Sequence, residues 1–302
     1  MTARSAVAIV TPSYAPDFER CRLLVESLAR CAPGLRHYLI VDRRDRGLFA
    51  VLEDERTRII ESETLLSPTF IRLPNKRSYW WNWRGPPVRG WIVQQMLKIA
   101  AADVISADTL VYVDSDVAFI RPFDAQALDV NGLSGLLDND YAGGRIVEWT
   151  ETAARLLGLE RQSVPPRGHV GNMICWRREV VLAMCAHIEQ ATGQSWRQAI
   201  ARQKSFSEYV LYGTFVRAVI GYAAAGQRPS GVPLIQPSWG TDLSSAEAVR
   251  GFFDNFDIRT IGVMAHSKDA TDLVQMRIEL ERLWAANCPT RGRQEVVLTS
   301  SA

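Results

Sequence analysis

Val111-Tyr112-Val113-Asp114-Ser115-Asp116-Val117-Ala118-Phe119 is an apolar run interrupted by two carboxylates one residue apart. Its first residues want burial on both faces, as the strands of a parallel sheet do, and the chain then sets Asp114 and Asp116 side by side where the backbone leaves the sheet. Two like charges that close call for a cation. A hard divalent ion such as Mn²⁺ or Mg²⁺ would neutralise them and would in turn hold the oxygens of a diphosphate. The competing reading of an isolated Asp-x-Asp is a turn, with one Asp bonded to the backbone and the other solvated.

Working outward, Ala6 to Thr11 (AVAIVT) is a β-rich run that stops at Pro12-Ser13-Tyr14-Ala15-Pro16. Asp17 can then cap a helix whose Leu23, Leu24 and Leu28 have helical spacing. His37 to Val41 (HYLIV) reads as a second buried strand closed by Asp42, and Arg58-Ile59-Ile60 as a short third. Strand, helix, strand in that order opens a parallel α/β sheet. Gly90 to Ala101 is a helix by period, and Thr109 to Val113 is the strand that carries the carboxylates. Asp42 and Asp114 thus both fall at carboxyl ends of strands, where such sheets bind ligands.

Further along, Gly171 to Trp176 reads as a strand, Arg177 to Ile188 and Ser207 to Ile220 as helices, Ile258 to Val263 as a strand and Ala270 to Ala285 as a closing helix. The expected organisation is a single domain over 1–288, with a nucleotide-binding half at 1–123, an acceptor half at 124–288 and a mobile tail at 289–302. One segment fits no period: Arg77-Ser78-Tyr79-Trp80-Trp81-Asn82-Trp83-Arg84-Gly85-Pro86-Pro87. Three tryptophans in a loop imply that it covers something, either a sugar or the sheet itself.

The chain has 302 residues, 47% of them apolar, enough for an ample core. A formal charge of +2 gives no global attraction to nucleic acid or to a membrane surface. The five cysteines are an odd number without a Cys-x-x-Cys pair, which argues against zinc and against a disulfide framework, and for a reducing compartment. No run approaches the ~18 apolar residues of a membrane helix, and the N-terminus lacks a signal-like apolar stretch. A cytoplasmic location is expected.

Three further elements carry chemistry. Ser207 is a natural N-cap that places Glu208 in a first helical turn, where the helix dipole favours the ionised acid. His266 follows an apolar strand and can offer an imidazole. Gly171, in Gly168-His169-Val170-Gly171-Asn172, lets backbone approach a ligand closely.

In this order and spacing the elements resemble the GT-A fold of nucleotide-sugar-dependent glycosyltransferases. Asp114-Ser115-Asp116 looks like the DxD motif of that superfamily, Gly171 like its glycine-rich acceptor loop, Ser207-Glu208-Tyr209 like its xED motif and His266 like its C-terminal metal-binding histidine. The resemblance covers most of residues 6–270 and implies an α/β fold with a Rossmann-like, mostly parallel mixed sheet flanked by helices. It also implies that Thr11, Pro12, Ser13, Tyr14 and Asp42 receive the base and ribose, with UDP the favoured nucleotide. Asp114 and Ser115 would lie against the donor, and Asp114, Asp116 and His266 would hold Mn²⁺ or Mg²⁺. Lys98 and Arg89 would reach donor phosphate, with Gln95 on the same helix. Glu208 would be the catalytic carboxylate, and Gly171, Asn172, Trp81 and Trp239 would meet the acceptor, a soluble glycan or small natural product; the Trp196 region is a further place to look. The motif departs from its pattern at Tyr209, where an Asp is usual.

Two other chemistries fit parts of the pattern. Asp114-Ser115-Asp116-Val117 also suits a phosphatase of the haloacid dehalogenase type, with Asp114 as nucleophile and Asp116 as acid. That motif normally opens the first strand of its domain, whereas at least two strands precede it here. A non-catalytic nucleotide- or sugar-binding module would use the same sheet. Inversion would make Glu208 a general base, and retention would leave it to orient the acceptor; the likeness leans towards retention.

Overall fold

The protein is described by a computed structural model covering residues 6–66, 68–73, 79–130 and 132–288. Arg77 and Ser78 of the aromatic segment, the N-terminal 1–5 and the tail at 289–302 lie outside the described residues.

Five strands form the central sheet in the order Met173–Arg177, Thr109–Val113, Val7–Pro12, Arg36–Val41, Thr57–Glu61. All neighbours are parallel except Met173–Arg177, which runs antiparallel to Thr109–Val113. Every residue of Val7–Pro12 and of Thr109–Val113 is buried, as their unbroken apolar runs require. Alternation then sorts the side chains. Val7, Ile9, Val111 and Val113 face the helix Phe18–Cys31 through Leu23, Leu24 and Leu28. Ala8, Val10, Leu110 and Tyr112 face the helix Gly90–Val104 through Met96, Ile99 and Ala100. This is the mixed, mostly parallel α/β sheet flanked by helices that the strand and helix order implied.

Chain order runs from Val7–Pro12 outward in one direction through Arg36–Val41 and in the other through Thr109–Val113. The crevice of a doubly wound sheet opens where that order reverses, outside the carboxyl ends of the strands. Pro12 and Asp114 stand on either side of it. Beyond Asp116 the chain enters a second sheet, in which Val117–Phe119 pairs antiparallel with Gly262–Met264, itself parallel to Ile235–Pro237. Residues about 150 positions away are thereby fastened beside the paired carboxylates: the N–H groups of Ala265 and Ser267 donate to Asp116 O (3.1 Å) and Asp116 Oδ2 (2.9 Å).

Behind the crevice Trp176 lies flat on Tyr212, with ring centroids 4.7 Å apart, and meets Tyr112 and Tyr209 on its other sides. This aromatic cluster joins the sheet to the helix Glu208–Phe215, in which every residue is buried. Ser207 caps that helix by accepting from the Val210 N–H (3.4 Å).

Several expectations move. The helix expected over Ser207 to Ile220 is α-helical only to Phe215; Val216–Ile220 continues as a wider π turn that ends at Gly221, whose φ is 84°. The strand expected from Ile258 forms instead at Gly262–Met264, because Ile258 is solvent-facing and the carbonyls of Asp257, Ile258 and Thr260 turn to the Arg121 guanidinium. The aromatic segment contains a strand, Tyr79–Asn82, which pairs with Phe70–Arg72 and Val88–Arg89. Its alternation buries Trp80 and Asn82 and exposes Tyr79 and Trp81. The Asn82 amide exchanges hydrogen bonds with Gln198, which fastens this small sheet to the helix Trp196–Ala201.

Gly213 gives a test of the packing. A Cβ there would come within 2.3 to 2.5 Å of the buried His169 ring, which is itself anchored by a bond from Nδ1 to the Leu137 carbonyl. Gly213→Ala is expected to destabilise the fold by about 1–3 kcal/mol, read as a lower urea midpoint.

Candidate functional site

A cleft of about 760 Å³ opens at the reversal of strand order. Pro12, Ser13 and Tyr14 form one side as the first strand ends, with Asp42 at the end of the next strand. Gln95 and Lys98 come from the helix Gly90–Val104 and Arg89 from the strand end just before it, and Asp114, Ser115 and Asp116 from the turn after Thr109–Val113. Gly171 and Asn172 precede Met173–Arg177, Glu208 opens its helix, and Trp239 and His266 arrive through the second sheet. Residues separated along the chain by up to about 250 positions thus share one cavity, and fifteen of the seventeen expected site residues line it.

Thr11 and Trp81 do not. Thr11 is fully buried and its hydroxyl is engaged with His37 Nε2 (3.1 Å) under the sheet. Trp81 occupies the outward face of its strand, edge-on to Trp83. Period 2 along that strand gives the cleft Trp80 instead. Trp196, another expected aromatic contact, is packed in the core.

Lys98 is the centre of the site. Its Nζ lies 3.0 Å from Glu208 Oε1 and 3.3 Å from Asp114 Oδ1, and donates to the Tyr209 hydroxyl at 2.7 Å. Burial works to lower its proton affinity, but Tyr209, Glu208 and Asp114 outweigh burial and hold it well above the ordinary lysine value. Three groups of the protein thus surround the ammonium at the edge of the cleft. Gln95, one turn earlier, accepts the Glu208 N–H (3.0 Å) and donates to the Trp91 carbonyl (3.2 Å), so it also positions the Glu208 helix. Tyr209, which departs from the expected motif, completes the Lys98 shell.

Towards the second sheet the balance reverses. Burial first, then the charges of Asp114 and Asp17, push the Asp116 carboxyl up to about 6. Asp17 is also buried, and burial raises it against the pull of Arg20, Ser115 and His266. It makes no cap for its helix; Ser115 Oγ bonds its Oδ2 at 3.4 Å and it lines the cleft. His266 bonds Asp269 Oδ2 through Nδ1 (3.1 Å), a carboxylate–histidine pairing that fixes the ring and leaves Nε2 as the nitrogen that could meet a ligand. Among the described residues no three His, Cys, Asp or Glu side chains make a ready metal cage. Asp116 and His266 line the same cleft, and a carboxylate with an imidazole is a donor pair that could hold a divalent ion only if bound ligand and water supplied the rest of its coordination.

Asp17, Arg72, Trp149, Ser267 and Lys268 also line the cleft and were not among the expected site residues. Asp17 looked like an ordinary helix cap. Arg72 lies on a strand with no readable period and pairs with the buried Asp42, which Arg44 (3.6 Å) and the Ser62 hydroxyl (3.0 Å) also contact. No signal in the sequence singled out Trp149.

Among known proteins, residues 5–223 match DUF6492, a family of unknown function, and the chain belongs to that family. No curated protein matches it. Among solved structures it is similar to the galactosyltransferase LgtC in complex with donor and acceptor sugar analogues, at 12% identity and a TM-score of 0.48, over 95% of this chain and 98% of that one. An active-site mutant of LgtC is similar over the same shares, at 12% identity and a TM-score of 0.47.

The charge on Asp116 makes a stability prediction. A carboxyl raised from 3.8 to about 6 in the fold costs stability in full above about 6, and the cost fades as pH falls from there and is gone only below 3.8, where folded and unfolded forms are both protonated. Asp116→Asn keeps an acceptor for the Ser267 N–H. In metal-free buffer it is expected to stabilise the protein at pH 7 by about 1–3 kcal/mol, with a clearly smaller gain near pH 5. Urea denaturation at the two pH values reads the difference.

Proposed function

We propose that this DUF6492 protein is a metal-dependent glycosyltransferase that moves a sugar from a nucleoside-diphosphate sugar, UDP favoured, to an acceptor hydroxyl. The observation that carries this reading is the gathering of Asp114, Asp116, Glu208 and His266 around one cleft at the reversal of strand order. In an open α/β sheet that is where nucleotides bind.

Pro12, Ser13 and Tyr14 would flank the base and ribose, with Asp42 beyond them held by Arg72. Asp116 and His266 would hold Mn²⁺ or Mg²⁺ with help from Asp114. When bound, the ion supplies Lewis-acid stabilisation to the charge that develops on the leaving diphosphate. Arg89 and Lys268 line the cleft and have no ionic partner among the described residues, so both can meet phosphate oxygens.

Glu208 would act at the acceptor. Lys98 already shares the Oε1 lone pairs of this carboxylate, which suits it to orienting a hydroxyl or stabilising positive charge at the sugar more than to removing a proton. This pairing favours retention, with the departing phosphate as base.

Asp116→Ala is expected to abolish Mn²⁺-dependent UDP binding. Glu208→Gln is expected to bind UDP as the wild type does while transfer, read as release of UDP from a UDP-sugar, falls roughly 10²- to 10⁴-fold. Undiminished Mn²⁺-dependent binding by Asp116→Ala would contradict the reading. Mg²⁺-dependent hydrolysis of p-nitrophenyl phosphate that requires Asp114, without nucleotide binding, would replace it with the phosphatase.

A further inference from the structure

Trp91 and Trp149 lie at the cleft wall with ring centroids 6.0 Å apart and planes 35° from parallel. Trp91 is 41% exposed although it belongs to the helix that packs under the sheet. An indole left open in a cavity, beside a second indole, is costly to hydrate and has no packing role to explain it. Both rings are held in place from behind. The Arg145 guanidinium stands 5.0 Å from the Trp91 ring and 5.3 Å from the Trp149 ring, and donates to Ser205 Oγ at 2.6 Å. The Trp149 indole N–H donates to the same hydroxyl at 3.1 Å.

These anchors place the pair next to the Glu208 carboxylate. Ser205 is three residues before Glu208. On the other element, Trp91, Gln95 and Lys98 stand at i, i+4 and i+7 of one helix and so share a face. Gln95 links the Trp91 carbonyl to the Glu208 N–H, and Lys98 contacts the Glu208 carboxylate. One helical face therefore runs from the open indole to the groups that surround Glu208.

From this geometry we infer that Trp91 and Trp149 form a carbohydrate subsite, on which a pyranose of the acceptor stacks its C–H face and presents a hydroxyl towards Glu208. The inference rests on the transferase reading for the word acceptor, but the subsite itself rests on the two rings. A saccharide fits better than a purely aromatic or lipid group, because the same cleft is lined by Arg89, Gln94, Asn172 and Glu208, whose side chains can hydrogen-bond hydroxyls.

The test is a glycan array of neutral and acidic oligosaccharides probed with full-length wild type, Trp91→Ala, Trp149→Phe and, as control, Trp83→Ala, an exposed indole outside the cleft. UDP binding with Mn²⁺ is measured on the same wild-type preparation. Expected are a set of glycans bound by the wild type and by Trp83→Ala, a loss of roughly tenfold or more in Trp91→Ala, and partial retention in Trp149→Phe, which keeps a ring. An array with no bound glycan overturns the subsite, and so does binding undiminished in Trp91→Ala. Binding that depends on Trp91 without any UDP binding keeps the subsite and removes the transferase; UDP binding without glycan binding does the reverse.

Discussion

The Lys98 ammonium is almost wholly buried and joins its own helix beneath the sheet to two other elements: Glu208 and Tyr209 on one helix, and Asp114 just past the strand Thr109–Val113. A buried charge is tolerated only when paired, and removing one partner of such a pair typically costs about 3–5 kcal/mol because the other is stranded. The net worth of the pairing to stability is small by comparison. Its consequence is geometric: Glu208 cannot leave Lys98, and Lys98 cannot leave Asp114, so the first carboxylate of the Asp-x-Asp pair and the helix-opening acid keep a fixed relation. The Tyr112 hydroxyl reinforces this by donating to the Lys98 carbonyl at 2.6 Å, which ties that strand to the helix that carries the lysine.

That internal neutralisation stops halfway across the cleft. Asp114 and Glu208 have a cation supplied by the fold, whereas Asp116 has only backbone donors, and it and Asp17, which Arg20 and the Ser115 hydroxyl only partly offset, remain raised by burial. A protein selected only for stability would have placed an amide at Asp116. The fold thus carries electrostatic strain at one edge of a cavity whose other edge is compensated, strain that the divalent cation and diphosphate of the proposed function would relieve. His266, steadied by Asp269, stands at that same edge because the second sheet returns the chain there.

Much of this was legible in the sequence for one reason: doubly buried strands have no polar alternation to confuse their reading, and Val7–Pro12, Arg36–Val41 and Thr109–Val113 emerge where their apolar runs predict. Ser207 and Glu208 were readable because an N-cap is a local signal. What stayed hidden depends on tertiary partners. Asp17 has the position of a helix cap and the role of a cleft carboxylate, a distinction made only by Ser115, about a hundred residues away. Lys98 was expected to reach a phosphate, and nothing local says that Tyr209, Glu208 and Asp114 surround it as well. The aromatic segment misled because a short strand with tryptophan on both faces has no hydropathy period, so Trp80 and Trp81 exchange roles between sequence and structure. Trp149 gave no local sign at all, since its place is set by Trp91 and Ser205.

A glycosyltransferase of the proposed kind must take a nucleoside diphosphate together with a divalent cation in this cleft. Calorimetric titration of UDP, GDP, CDP and ADP into the protein, with Mn²⁺ and again with a chelator, measures that directly. The structure predicts that one diphosphate binds with Mn²⁺ and that its affinity collapses on chelation. Binding that is indifferent to the chelator, or no binding by any of the four, would contradict it.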